Sequence, residues 1–248
     1  MNKYRQFIIT QGEKYIRKLE ALFAQYSLVG NPTFFDCQNF DWVSKLEKHW
    51  KIIRQELDGV LQNLDKVPNF QDLSPDQYDV TSDNRWKTFF FYAYGLKANN
   101  NCEKCPQTTK LIEEIPGIKT AFFSILLPHK HIPEHRGPYK GVLRYHLALK
   151  VPNPATDCQI RVNQDYRYWQ EGKSLIFDDT FPHEAWNKTN GIRVVLFVDF
   201  IRPLKFPISL LNQFIITLVS ISPYVQKGKQ NLEKWNFQQK HQTKNNLP

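Results

Sequence analysis

The sequence predicts a mainly β protein, a double-stranded β-helix (jelly roll) with helices before it and an amphipathic helix after it. After Lys119 four segments have strand character, TAFFSILLP, GVLRYHLALKVP, KSLIFDD and IRVVLFVDFIRP. The stretches between them carry Pro, Gly, Asn and Asp and few helix signals, the punctuation of short antiparallel strands closing into two sheets. The chain has 248 residues, 41% hydrophobic and 14% aromatic, which suits one large core better than two small ones.

Taken in order, Tyr4 to Tyr26 carries Tyr15, Ile16, Leu19, Leu22, Phe23 and Tyr26 at helical spacing, the pattern of an amphipathic helix. Asn31-Pro32 ends it. Asp41 is placed to cap a second helix with a stripe through Trp42, Leu46, Trp50, Ile53, Leu57, Val60 and Leu61. Val67 to Asn84 reads as a connection. Trp86 to Tyr94 (WKTFFFYAY) reads as an aromatic strand closed by Gly95. Asn99 to Cys105 reads as a polar loop and Thr108 to Glu114 as a short helix. This divides the chain into a helical segment (1–66), a jelly-roll domain (67–204) and a C-terminal segment (205–248).

In that last segment Leu210, Leu211, Phe214, Ile215, Leu218 and Val219 form a helical stripe opposite Ser209, Asn212, Gln213 and Ser220. Between Pro207 and Pro223 it is too short to span a bilayer, which takes ~20 apolar residues. Two readings stay open: a helix packed on the barrel, or one lying in a membrane interface. Beyond Asn236 the polar composition predicts disorder.

The net charge of +9 points to anionic partners: a membrane surface, an acidic peptide or a phosphorylated lipid. Nothing else favours nucleic acid, and none is expected. Four cysteines, Cys37, Cys102, Cys105 and Cys158, make no dense disulfide framework, and a single Cys-x-x-Cys offers half a tetrahedral metal shell. The opening residues hold too short an apolar run for a signal-peptide core. The expected location is the cytoplasm, with attachment to the cytoplasmic face of a membrane as its variant.

The candidate chemistry lies between His135 and Arg193. Strand alternation puts Arg144 and His146 on one face and Leu143, Tyr145, Leu147 and Leu149 on the other, so the polar pair should face a cavity. Ser124 shares a face with Phe122 and Leu126. Arg193 opens a strand whose alternate positions are Val195 and Phe197, and a buried arginine needs an anion. His135 (HIPEHRGPYK) reads as lying in a loop and His183 (FDDTFPHEAW) as just past a strand. His129 and His131 have no strand to aim them inward.

HRGPYKGVLRYHLAL followed by GKSLIFDDTFPHEAWN and IRVVLFVDFIRP resembles the aspartyl/asparaginyl β-hydroxylase family of iron(II)- and 2-oxoglutarate-dependent oxygenases, over about Trp86 to Pro203. The resemblance is strongest to bacterial members, which include lipid A acyl-chain hydroxylases. It implies that His135 and His183 bind Fe(II), that Arg193 pairs with the distal carboxylate of 2-oxoglutarate, and that Ser124, Arg144 and His146, with Trp86, complete the co-substrate pocket. Asp179 becomes an acceptor beside the metal. Non-haem iron oxygenases ordinarily add a carboxylate two residues after the first histidine. Here that position is Gly137, a gap the family shares, leaving a place for water, substrate or, as in iron-dependent halogenases, a halide.

The implied reaction is O2-dependent hydroxylation of an unactivated C–H bond coupled to decarboxylation of 2-oxoglutarate. The family name points to the β-carbon of Asp or Asn in a peptide or protein. A lipid A fatty acyl chain at a membrane surface is the alternative, and a non-catalytic jelly-roll binding protein is the other.

Overall fold

Jelly-roll topology follows from which strands the chain can afford to bury on both faces. The computed structural model describes residues 17–73, 81–222 and 225–235. Residues 17–25 form helix α1; the expected helical positions from Tyr4 to Ile16 lie outside the described residues, as does the stretch beyond Asn236. The chain continues through β1 (Phe34–Phe35), α2 (Asp41–Lys48), α3 (Trp50–Leu61), α4 (Phe70–Leu73), β2 (Trp86–Ala93), β3 (Leu96–Lys97), α5 (Asn99–Lys104) and α6 (Pro106–Glu113). Then come β4 (Ile118–Leu126), β5 (Lys130–His135), β6 (Val142–Lys150), β7 (Cys158–Val162), β8 (Asp165–Tyr168), β9 (Ser174–Phe177), β10 (His183–Asn187) and β11 (Arg193–Ile201). The helices α7 (Ile208–Ser220) and α8 (Val225–Trp235) follow.

The strands form two antiparallel sheets, a major one in the order β1-β9-β6-β11-β4-β2-β3 and a minor one in the order β5-β10-β7-β8. One face of the major sheet (Phe123, Ile125, Leu143, Leu147, Leu196, Val198) is buried with Val43, Leu46, Ile53 and Leu57 of α2 and α3. Its other face (Trp86, Phe90, Phe122, Leu126, Phe177, Val195, Phe197) meets Ile132, Ile160, Val162 and Ala185 of the minor sheet. Burial on both faces is why β4, β6 and β11 read as continuous apolar runs.

The structure corrects several expectations. The helix expected from Asp41 breaks at His49 into α2 and α3, and Asp41 occupies the first turn of α2, whose cap position is Phe40. The expected loop Asn99–Cys105 is mostly helix α5, because Cys102 and Cys105 are buried free thiols and their packing outweighs the polar run around them. The connection from Val67 contains α4, which sets Phe70 against Trp86 with ring centroids 4.1 Å apart. His135 ends strand β5 and His183 opens β10; both were expected outside strands.

Candidate functional site

The two histidines are brought together by strand pairing. His183 of β10 is the register partner of His135 of β5, and their ring centroids lie 4.1 Å apart. Each turns its Nδ1 to the backbone carbonyl two residues earlier, His135 to Pro133 O at 2.8 Å and His183 to Phe181 O at 3.0 Å. A carbonyl accepts, so each Nδ1 carries the proton and each Nε2 keeps its lone pair, the arrangement that orients metal-ligating histidines.

Burial, joined by Arg144, holds His135 below the usual imidazole range, and burial with His135 and Arg144 places His183 well below it. Both rings are therefore neutral and ready to ligate near neutral pH. Among the described residues no third His, Cys, Asp or Glu joins them in a metal-holding cluster. His129 and His131 point away: His129 meets Asn190, and His131 pairs with Glu184 and stacks on Trp186.

Gly137 and Asp179 explain each other. The Gly137 N–H donates to Asp179 O at 2.7 Å, and a Cβ at Gly137 would run into the Asp179 carboxylate. Asp179 therefore occupies the space beside residue 137. Its Oδ2 lies 2.9 Å from Arg144 Nη2, while its buried Oδ1 has no hydrogen-bond partner among the described residues. Burial outweighs the Arg144 ion pair and pushes the Asp179 carboxyl up to about 6. Its neighbour Asp178, fully buried, accepts from Lys140 at 2.6 Å and from Arg202, and its Oδ1 caps Thr180. That network fixes the turn carrying Asp179.

From His183 inward the site continues through Phe177 (ring centroids 5.9 Å apart), His146 (5.0 Å from Phe177) and Trp169 (6.0 Å from His146) to the Arg193 guanidinium, 4.2 Å over the Trp169 ring. Arg193 is 2% exposed, and its Nε and Nη1 have no hydrogen-bond partner among the described residues. Burial pulls it down to about 10 against the opposing influence of Cys158. Both ring nitrogens of His146 and Nε1 of Trp169 are likewise buried and unpartnered; burial, Arg193 and Arg144 hold His146 well below its usual value. A buried guanidinium with two nitrogens unpartnered among the described residues, and no carboxylate beside it there, costs several kcal/mol unless an anion completes it.

Ser124 lies nearby on β4, accepting from Trp86 Nε1 at 3.0 Å. Arg144 does not join this inner group. It bridges Asp179 and Asp199 (Nε to Asp199 Oδ1, 2.9 Å) toward the opening. Burial works against its charge, but the two carboxylates more than reverse that and raise its pKa. Sequence reasoning missed Asp199, whose signal was present: a lone acid in an apolar strand, on the face of Val195 and Phe197. It also missed Trp169, which follows two exposed tyrosines in β8 and carries no motif.

Above the histidines opens a cavity of about 490 Å³. Its inner rim is His135, Gly137, Asp179 and Arg144; its walls are Phe70, Trp86, Phe90, Phe122 and Phe197; its outer side is closed by Val225 and Leu232 of α8, with Arg136 and Lys229 at the edge. Asn231 of α8 donates to Leu73 O at 3.3 Å, which ties that helix to α4.

Fold and site together define a double-stranded β-helix protein with paired histidines, one of them on a cavity, and a buried arginine deeper in the same barrel. Residues 47–203 match the profile of the aspartyl/asparaginyl β-hydroxylase family, and the chain belongs to that family of hydroxylases. An ornithine lipid ester-linked acyl 2-hydroxylase from Rhizobium tropici is 46% identical over 216 residues, 87% of this chain and 77% of that one. The mouse aspartyl/asparaginyl β-hydroxylase is 35% identical over 170 residues, 66% of this chain, but this chain spans only 22% of its length. A solved cupin domain of an Enterobacter cloacae transcriptional regulator aligns over 47% of this chain and 96% of its own, with 11% identity and a TM-score of 0.33, too distant to add to the argument.

Proposed function

We propose that the protein is an Fe(II)- and 2-oxoglutarate-dependent dioxygenase that hydroxylates an acyl chain of a membrane lipid. The observation that carries the cofactor reading is the pairing of two tautomer-locked histidines with a buried arginine whose Nε and Nη1 are unpartnered among the described residues, at the inner end of the same site. His135 and His183 would hold the metal through Nε2. Arg193 would hold the distal carboxylate of the co-substrate, with Ser124 and His146 at its side.

Bound there, Fe(II) with 2-oxoglutarate and O2 supplies oxidative decarboxylation coupled to C–H hydroxylation. The chain's own residues orient and exclude. The carbonyls of Pro133 and Phe181 fix the imidazoles, Trp169 backs the guanidinium, and the aromatic walls keep water from the reacting C–H. Arg144, clamped between Asp179 and Asp199, keeps the Asp179 carboxylate facing the rim.

The acyl-chain reading is favoured over an Asp or Asn side chain by the cavity itself. A side chain of one or two carbons needs little apolar wall, whereas Phe70, Phe90, Phe122, Val225 and Leu232 line a cavity of about 490 Å³, apolar surface that suits a hydrocarbon tail. The 46% identity to an acyl 2-hydroxylase supports the same choice. The test is succinate formation by iron-loaded protein with a detergent-dispersed ester-linked acyl lipid or with an Asp- and Asn-containing peptide. Stimulation by the lipid supports the reading; stimulation by the peptide alone overturns it.

A further inference from the structure

Helix α7 packs the opposite way from an ordinary surface helix. The side it turns to the barrel is polar at its centre: Asn212, fully buried, donates to Gly141 O at 2.9 Å and accepts from Tyr139 Oη at 2.6 Å. Ile216 is the other buried residue on the helix. Leu210, Phe214, Leu218 and Ile221, which share one stripe at helical spacing, are 56%, 61%, 48% and 64% exposed. Phe206, just before the helix, and Leu28, whose N–H donates to Pro203 O, are exposed as well. Scattered exposed apolar residues are ordinary, but a continuous stripe this long on one helix marks an interaction surface.

Charge and position choose the occupant. From Pro203 to Leu232 the sequence has no acidic residue, and Lys205 just before α7 and Lys229 on α8 are basic, so the segment that carries the stripe is positively charged. A second copy seated on the same face would set these lysines against their counterparts. An anionic lipid surface would be attracted to them, and it accepts a narrow apolar stripe lying in its plane. Through Tyr139 and Gly141 the helix is anchored to the loop that carries Arg136 and Gly137 to the cavity rim. Among the described residues no single helix is long and apolar enough to cross a membrane.

We propose that the outward face of α7 docks the protein on an anionic phospholipid surface, with the cavity mouth beside the bilayer. The purpose of such docking rests on the lipid-substrate reading, whereas its detection does not. The experiment is co-sedimentation of the full chain with phosphatidylcholine vesicles with and without phosphatidylglycerol. It compares wild type with the triple variant Leu210→Ser, Phe214→Ser, Leu218→Ser, with circular dichroism to establish folding and light scattering for mass.

The proposal expects wild type to bind anionic vesicles in a salt-sensitive way and the folded triple variant to partition at least about tenfold more weakly. Turnover of a detergent-dispersed substrate should be unchanged in the variant. If only the triple variant fails to fold, the single substitution Phe214→Ser carries the comparison, with weaker partitioning expected. Equal binding by folded wild type and variant, or no binding by wild type, would overturn it. So would a wild-type dimer that the substitutions dissociate, which would assign the face to a second copy. Vesicle binding without turnover of any acyl lipid would uphold the docking face and sink the substrate reading.

Discussion

His135 and His183 face each other across an antiparallel pair, register partners on β5 and β10 whose rings lie 4.1 Å apart. Strand pairing sets their spacing, and each ring is locked by the carbonyl two residues before it, Pro133 on β5 and Phe181 in the turn that leads into β10. If these rings hold iron, replacing either His135 or His183 by Ala should abolish stoichiometric Fe(II) binding while leaving the circular dichroism of the metal-free protein unchanged. Metal analysis after desalting checks this. Full iron content in either variant would remove that residue as a ligand.

Arg193 makes two opposite predictions from one cause. Arg193→Met removes a buried cation whose Nε and Nη1 are unpartnered among the described residues, so the metal-free, co-substrate-free protein should melt at the same temperature or higher. The same substitution should raise the 2-oxoglutarate requirement at least tenfold, since losing one partner of a buried charge pair costs about 2–5 kcal/mol. A lower melting temperature with an unchanged requirement would make Arg193 structural.

Gly137→Asp should fail to build the missing carboxylate ligand. The Asp179 carboxylate fills the space next to residue 137, so the new side chain would displace Asp179 and its ion pair with Arg144. Melting temperature should fall and iron affinity should not rise. A stable variant with tighter iron binding would show that the two carboxylates can coexist.

Asp178→Ala should destabilise the fold by about 3–5 kcal/mol, because Lys140 and Arg202 would be left buried without their shared partner. Denaturant unfolding measures it. A loss under about 1 kcal/mol would mean that water reaches the two cations.

The metal-free protein should lose stability as pH falls below 6.5. Burial depresses His135, His146 and His183 relative to their ordinary 6.5, so the unfolded chain gains three protons that the folded protein refuses. Asp179, raised by burial to about 6 from 3.8, opposes this by one proton, since below about 6 the folded state protonates it first. Three depressed imidazoles against one raised carboxyl leave the net sign a loss of stability as pH falls. Stability that stayed level or rose from pH 7 to pH 5 would contradict these environments.

What the sequence revealed and what it hid follow from burial. The strands β4, β6, β9 and β11, and β2, announced themselves because the major sheet is covered on both faces. The minor sheet has a solvent face, and KHIPEH, CQIRV, DYRY and HEAWN carry too many charges and too few residues to stand out from loops, so both histidines were expected outside strands. Alternation put Arg144 and His146 on the cavity face, and the resemblance gave Ser124 and Arg193 their roles, whereas the commitment of Arg144 to Asp199 needed cross-strand register. The stripe on α7 was legible as a stripe. Its direction was not, because the residue that reverses it, Asn212, acts through Tyr139 and Gly141, some seventy residues away.

If the paired histidines and the buried arginine form one iron- and 2-oxoglutarate-dependent centre, losing either part should stop or starve the same turnover. The most direct test is succinate release by anaerobically iron-loaded protein on addition of 2-oxoglutarate and O2, comparing wild type with His183→Ala and Arg193→Met. Wild type should release succinate in an iron-dependent way, His183→Ala none, and Arg193→Met only at raised 2-oxoglutarate. Iron-loaded wild type that releases no succinate even with the acyl lipid present, or a His183→Ala variant as active as wild type, would contradict that assignment.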